Sequence, residues 1–159
     1  MTETKRPKAH ERAETSSKGP KAPERLETQR AKTVLLADHE PDVRARALVE
    51  LRAWGYEAEA VASAEEALKR IPHQRPDLVI LDVEMPDQDG YLVCAKLKRF
   101  SQRTVEKIPI ILCSVRASDR DRHLGRYAGA DDYVTKPFDW PQLAQHVKGL
   151  LTKEAPPLP

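Results

Sequence analysis

The sequence predicts an α/β domain built on a doubly wound sheet of five parallel strands, in the order 2-1-3-4-5. Strand-like and helix-like segments alternate five times along the chain, at the spacing that is typical of βαβ units. Three of the strand-like segments are continuous apolar runs, as expected for strands that helices cover on both faces. The other two, the second and the fifth, suit the edges of a sheet.

Each predicted strand has its own pattern. The second alternates polar and apolar residues, with Glu57 and Glu59 on one face, and the fifth is only a short segment. This order places a ligand crevice beyond the carboxyl ends of the first and third strands. The five predicted strands are TVLLA (33–37), YEAEAV (56–61), DLVILD (77–82), IPIILC (108–113) and YVT (133–135).

Capping signals mark several of the intervening helices. Ser63 and Glu66 have the spacing of a capping box for the second helix, and Asp139 is predicted to cap the last helix. The fourth helix, predicted around residues 117–128, has the weakest pattern because it is rich in Arg and Asp. Its residues Leu124 and Ala128 are predicted to face the core.

Composition and charge indicate where the folded domain begins and ends. Of the 159 residues, 27 are Lys or Arg and 25 are Asp or Glu, and the positive excess lies in residues 1–30. We predict a disordered, charged N-terminal tail over 1–30, a domain over 31–152 and a Pro-rich C-terminal tail over 153–159. The C-terminal segment is also compatible with the start of a linker. No direct binding to nucleic acid is expected.

Two further features concern location. No apolar run approaches the roughly 20 residues that a membrane-spanning helix needs, and the N-terminus lacks the apolar segment of a secretory signal. The two cysteines, Cys94 and Cys113, each lie in an apolar segment and are predicted to be reduced core thiols. These features favour a cytoplasmic protein.

Four chemically functional side chains follow or end predicted strands. Asp38 follows the first, Asp82 ends the third, Ser114 follows the fourth and Lys136 follows the fifth. These strands are neighbours in the predicted order, so the side chains should converge on one crevice. Two carboxylates, a hydroxyl and an ammonium suit a phosphoryl group with a divalent cation, in which a carboxylate is the nucleophile.

Two motifs resemble those of a known family. The segment LDVEMPDQDG (81–90) is similar to the phosphorylation-site signature of response-regulator receiver domains in two-component signalling, and ADDYVTKPF (130–138) is similar to their Lys-Pro segment. The resemblance covers roughly residues 32–152. It implies a flavodoxin-like (βα)5 fold, as in single-domain receivers of the chemotaxis type.

The resemblance also implies a role for each site residue. Asp82 would accept a phosphoryl group from a histidine kinase or phosphotransfer protein, Lys136 would contact the phosphoryl oxygens, and Ser114 would move to hydrogen-bond the phosphorylated Asp82. Tyr133 would turn inward as Ser114 moves, and the Lys136–Pro137 peptide would be cis. The chain is then a signalling phosphoacceptor that assists only its own phosphorylation and dephosphorylation. Its downstream protein partner would bind at the fourth helix, fifth strand and fifth helix.

The metal site departs from the family pattern. The resemblance implies Mg²⁺ held by Asp38, Asp82 and the backbone carbonyl of Glu84. Relatives usually carry a second acid after the first strand, and this chain has His39 there. Because Mg²⁺ prefers oxygen ligands, we expect weaker Mg²⁺ binding and better tolerance of Mn²⁺. His39 itself has three interpretations: it points away, it contributes to the metal site, or in its protonated form it pairs with Asp82.

Two other functions are compatible with parts of the sequence. A pseudo-receiver that acts as a scaffold without phosphorylation is favoured by His39. A phosphatase of the haloacid-dehalogenase type would need an aspartate two residues after Asp82, where Glu84 stands.

Glu84 and Arg116 are predicted to pair across the opening of the site, and Val115, bulkier than usual, to restrict access to Asp82.

Overall fold

The structure is a computed structural model that describes residues 30–103 and 107–152. The predicted N-terminal tail, apart from Arg30, and the predicted C-terminal tail lie outside the described residues. Within the described part of the chain, no helix is long and apolar enough to cross a membrane.

Five parallel strands form one sheet in the order β2-β1-β3-β4-β5, which confirms the predicted topology. Glu57 and Glu59 are exposed on the edge strand, as their alternation predicted. The fourth strand starts two residues later than predicted, after Pro109, which has no N–H to donate to a neighbouring strand. The strands are β1 Thr33–Ala37, β2 Glu57–Val61, β3 Leu78–Asp82, β4 Ile110–Ser114 and β5 Asp132–Thr135.

The helices alternate with the strands, and side chains cap the N-termini of all of them except the first, which begins at Pro41. Ser63 Oγ accepts a hydrogen bond from the Glu66 N–H, 3.1 Å away. Ser118 and Asp121 form a capping box at the fourth helix, the helix with the weakest sequence pattern. The helices are α1 Pro41–Ala53, α2 Ala64–Gln74, α3 Gly90–Gln102, α4 Asp119–Tyr127 and α5 Trp140–Leu151.

Two apolar layers cover the two faces of the sheet. Alternate residues of each strand enter opposite layers: Leu35 of β1 packs with α2 and α3, whereas Leu36 packs with α1 and α5. This is why the central strands read as continuous apolar runs. The prediction for Leu124 is wrong, since this residue of α4 is 42% exposed. Gly125 is the buried residue of α4, because an aromatic ring packs against its backbone.

Candidate functional site

The four predicted side chains meet at the carboxyl edge of the sheet. Asp82 and Ser114 are the last residues of β3 and β4, Asp38 follows β1, and Lys136 follows β5. Asp38, Asp82 and Ser114 are fully buried, and Lys136 is 9% exposed. Since these four strands are neighbours, the sheet itself brings the four groups together.

Lys136 lies among three carboxylates. Its Nζ is 2.8 Å from Asp38 Oδ2, 3.1 Å from Glu40 Oε1 and 3.6 Å from Asp82 Oδ2. Burial alone would lower the pKa of Lys136, but the hydrogen bond to Asp38 and the nearby negative charges raise it above its usual value. The ammonium therefore stays charged and compensates the buried carboxylates.

Asp38 is the more strongly desolvated partner. Burial raises the pKa of Asp38, and this outweighs the hydrogen bonds from Lys136 and from the Glu40 N–H, which lower it. Glu40 contacts Lys136 directly and so places a third acid at the rim of the site.

The two oxygens of Asp82 have different partners. Oδ1 accepts a hydrogen bond from the Glu84 N–H at 2.9 Å. Oδ2 faces His39 Nδ1 at 2.5 Å and the His39 N–H at 3.4 Å. His39 does not point away, so this interpretation is wrong for the structure: its imidazole, 36% exposed, covers the oxygen of Asp82 that also faces Lys136.

Ser114 binds a residue other than Asp82. Its hydroxyl donates to Glu84 Oε2 at 2.6 Å and accepts from the Arg116 N–H at 2.9 Å. Glu84 Oε1 accepts from the Val115 N–H at 3.2 Å. The predicted pair between Glu84 and Arg116 is absent from the described part of the chain, because the carboxylate is already satisfied by the hydroxyl and amide at the end of β4.

Tyr133 already lies inward. It is 9% exposed, and its hydroxyl donates to the Arg116 carbonyl at 3.0 Å and lies 3.2 Å from the Tyr91 hydroxyl. Gly125 leaves room for the ring, since a Cβ there would lie 2.9 Å from Tyr133 Cδ2. Sequence reasoning missed Tyr91 and Gly125, whose roles depend on how α3 and α4 pack. The Lys136–Pro137 peptide is cis, as expected.

The donor atoms at this edge suit a divalent cation. Asp38 and Asp82 offer buried carboxylate oxygens, the ligands that Mg²⁺ prefers. Asp38, His39 and Glu40 each offer one ligand atom, and these three atoms lie within 4.8 Å of one another. These carboxylate oxygens, with one imidazole nitrogen beside them, fit a hard cation. A cation at this position would contact Asp38 and Asp82, whose carboxylates also contact Lys136 and, for Asp82, His39.

Comparison with known sequences decides the family. A family model described as the response regulator receiver domain matches residues 34–148. The chain belongs to this family. Among curated relatives, this receiver domain is 39% identical over 126 residues to the protein named "Probable transcriptional regulator ycf27" of Cyanophora paradoxa. That alignment covers 79% of this chain and 51% of the relative. The chain thus spans about half the length of the curated relatives it matches.

Solved structures show the same fold. The signal receiver domain of a signal transduction histidine kinase from Syntrophus aciditrophicus is 36% identical, with a TM-score of 0.68, and the match covers 80% of this chain and 98% of that one. The chemotaxis protein CheY4 of Vibrio cholerae is 28% identical, with a TM-score of 0.70 and coverage of 77% and 100%. The resemblance found in the two motifs is therefore confirmed over the whole domain.

Proposed function

We propose that this receiver domain accepts a phosphoryl group on Asp82 from the phosphohistidine of a histidine kinase or phosphotransfer protein. The observation that carries the proposal is the position of Asp82: a fully buried carboxylate whose Oδ2 lies 3.6 Å from the Lys136 ammonium. In the step, a carboxylate oxygen of Asp82 forms a bond to phosphorus while the bond from phosphorus to the histidine nitrogen breaks. The nitrogen leaves with the electron pair, and Lys136 balances the charge of the phosphoryl oxygens.

Asp38, Asp82 and the backbone carbonyl of Glu84 would hold Mg²⁺, which would neutralise charge on the transferring group. The contact between His39 and Asp82 supports weaker Mg²⁺ binding, because the imidazole lies where a second carboxylate would otherwise offer oxygen. Mn²⁺ tolerates a nitrogen ligand better and would be the more effective cation.

The phosphorylated domain would act by changing its affinity for a downstream protein at the face formed by α4, β5 and α5. Tyr133 of β5 contacts the loop after Ser114 directly, so a change at the site reaches this face. The loop after Ser114 and α4 carry four arginines, Arg116, Arg120, Arg122 and Arg126, against two aspartates, Asp119 and Asp121, and this local excess of positive charge suits an acidic partner.

A second candidate function is a scaffold that works without phosphorylation. The specific observation in its favour is that His39 Nδ1 contacts Asp82 Oδ2 and thereby covers the proposed nucleophile. The burial of Asp38, Ser114 and Lys136 around Asp82 supports the phosphoacceptor instead, because a scaffold does not require these buried polar groups at one point.

The test is incubation with acetyl phosphate and either Mg²⁺ or Mn²⁺, followed by intact-mass measurement. Wild type should gain one phosphoryl adduct, Asp82→Ala should gain none, and Asp119→Ala, which removes an exposed aspartate of α4, should behave as wild type. Absence of the adduct from wild type with both metals would favour the scaffold. An adduct that persists in Asp82→Ala would place the phosphoacceptor elsewhere.

A further inference from the structure

The Glu84 side chain holds the hydroxyl that the proposed function needs at Asp82. A serine hydroxyl has one proton to donate, and Ser114 donates it to Glu84 Oε2 at 2.6 Å. The other Glu84 oxygen accepts from the Val115 N–H. Ser114 therefore cannot donate a hydrogen bond to a phosphoryl oxygen on Asp82 until its hydrogen bond to Glu84 breaks.

We propose that Glu84 is a latch whose carboxylate competes with the phosphoryl group for Ser114 and whose release is the first step of signalling. The inference rests on the proposed function of Asp82. Glu84 lies two residues from Asp82, and its own N–H is bonded to Asp82 Oδ1. A phosphoryl group carries a charge of roughly −1.5 to −2 near neutral pH, so it repels the Glu84 carboxylate while attracting the Ser114 hydroxyl. Both effects open the latch.

Release of the latch has a route out of the site. Ser114 Oγ accepts from the Arg116 N–H, and the carbonyl of the same residue accepts from the Tyr133 hydroxyl. The Tyr133 hydroxyl in turn lies 3.2 Å from that of Tyr91 on α3. Movement of Ser114 towards Asp82 therefore shifts the Arg116 peptide and the bond that holds Tyr133.

Because Tyr133 already lies inward, the rearrangement that is still needed is the release of Ser114 from Glu84. Tyr133 is already buried while Ser114 is still bound to Glu84. Rotation of Tyr133 cannot then be what frees Ser114. The rearrangement begins at Glu84, and the β4–α4 loop, where Val115 is 64% exposed, is the segment that it releases.

The experiment compares wild type with Glu84→Ala, Glu84→Gln and the charge control Glu65→Ala, which removes an exposed acid of α2. Amide ¹H–¹⁵N spectra report the Val115 N–H before and after treatment with acetyl phosphate, and intact mass gives the extent of phosphorylation. Before treatment, the Val115 signal should move in Glu84→Ala and stay in place in Glu65→Ala. On phosphorylation, the wild-type signal should move towards its position in Glu84→Ala.

The rate of phosphorylation gives a second readout. Glu84→Ala should acquire the adduct roughly tenfold faster than wild type, the factor expected for one hydrogen bond to a charged group. Glu84→Gln keeps an acceptor for Ser114 and should fall between the two. Equal rates in Glu84→Ala and Glu84→Gln would overturn the latch, because charge alone would then explain the effect.

The two proposals fail in different ways. If wild type gains the adduct but its Val115 signal does not move, the latch is wrong and the phosphoacceptor stands. If no variant gains the adduct, the phosphoacceptor is wrong and the latch falls with it. An adduct that forms in Glu84→Ala far faster than in wild type supports both.

Discussion

Lys136→Met tests whether one ammonium compensates the buried charges of the site. The lysine side chain is 5% exposed and lies 2.8 Å from Asp38 Oδ2, a carboxylate that is fully buried. At this distance two charges attract by roughly 6 kcal/mol in an effective dielectric of about 20. Part of that attraction only offsets the free energy that the desolvation of the two charges costs. Removal of one partner from a buried pair therefore costs about 3–5 kcal/mol.

A double-mutant cycle separates lost compensation from lost packing. We expect Asp38→Asn alone to cost less than Lys136→Met, because Asp82 and Glu40 still face the ammonium and because burial already raises the pKa of the Asp38 carboxyl and penalises its charge. Lys136→Met combined with Asp38→Asn should be about 1–3 kcal/mol more stable than the sum of the single changes predicts. Glu40→Gln is the matched control: this acid also contacts Lys136 but is 48% exposed, so its pair should contribute about 1 kcal/mol or less.

Urea denaturation followed by tryptophan fluorescence, with EDTA present to exclude metals, gives the free energy of unfolding. The slope with denaturant should be unchanged among the variants, so that differences in midpoint report stability. A loss below about 1 kcal/mol in Lys136→Met would refute the reasoning, as would strict additivity with Asp38→Asn.

Three further predictions concern the metal, the aromatic and the alkaline limit of the fold. His39→Asp should raise the affinity for Mg²⁺ about tenfold or more in a fluorescence titration, and equal affinities would contradict the proposed effect of His39. Gly125→Ala should displace the Tyr133 ring, since the new Cβ would lie 2.9 Å from Cδ2. The control Gly149→Ala, at a position where nothing lies within 4 Å of the new Cβ, should instead stabilise α5 by up to about 1 kcal/mol. A crystal structure of Gly125→Ala in which the Tyr133 ring has not moved would refute the predicted clash. Burial, with the hydrogen bond to Tyr133, raises the pKa of Tyr91 above its usual value of 10.0. Above that pH the unfolded chain loses the proton first, so stability should fall as pH rises, and less steeply in Tyr91→Phe; identical slopes in thermal melts would count against this.

The sheet could be predicted because its sequence signals are strong and local. An apolar run such as LVILD can be buried on both faces only in a central strand, and the alternation that exposes Glu57 fits only an edge. The order of strands then follows, and with it the convergence of Asp38 and Asp82. The inward prediction for Leu124 failed because α4 is short and polar, so that a shift of one residue in its buried face leaves little trace in the sequence.

The contacts of the site could not be predicted in the same way. Glu84 and Ser114 lie thirty positions apart, and their hydrogen bond depends on the side-chain rotamer that Glu84 adopts beside β4. Sequence reasoning assigned Glu84 a backbone role and expected its carboxylate to pair with Arg116. An ion pair with Arg116 has the larger electrostatic attraction. The Ser114 hydroxyl and the Val115 N–H, however, are already positioned by the sheet and lose less conformational entropy when they bond to Glu84.

The charges of the site connect the roles of His39 and the cation. Asp82 Oδ2 faces both the imidazole of His39 and the ammonium of Lys136, so the oxygen has two side-chain nitrogens as neighbours. A metal ion that binds Asp82 beside His39 must separate two atoms that now lie 2.5 Å apart. Binding of a cation at this oxygen would therefore require the imidazole to move away from Asp82 Oδ2. Under the proposed function, His39 would oppose phosphorylation through the metal-binding step, whereas Glu84 would oppose it through Ser114. Both residues also contact Asp82, so the effects of replacing them should be coupled rather than strictly additive in the double variant.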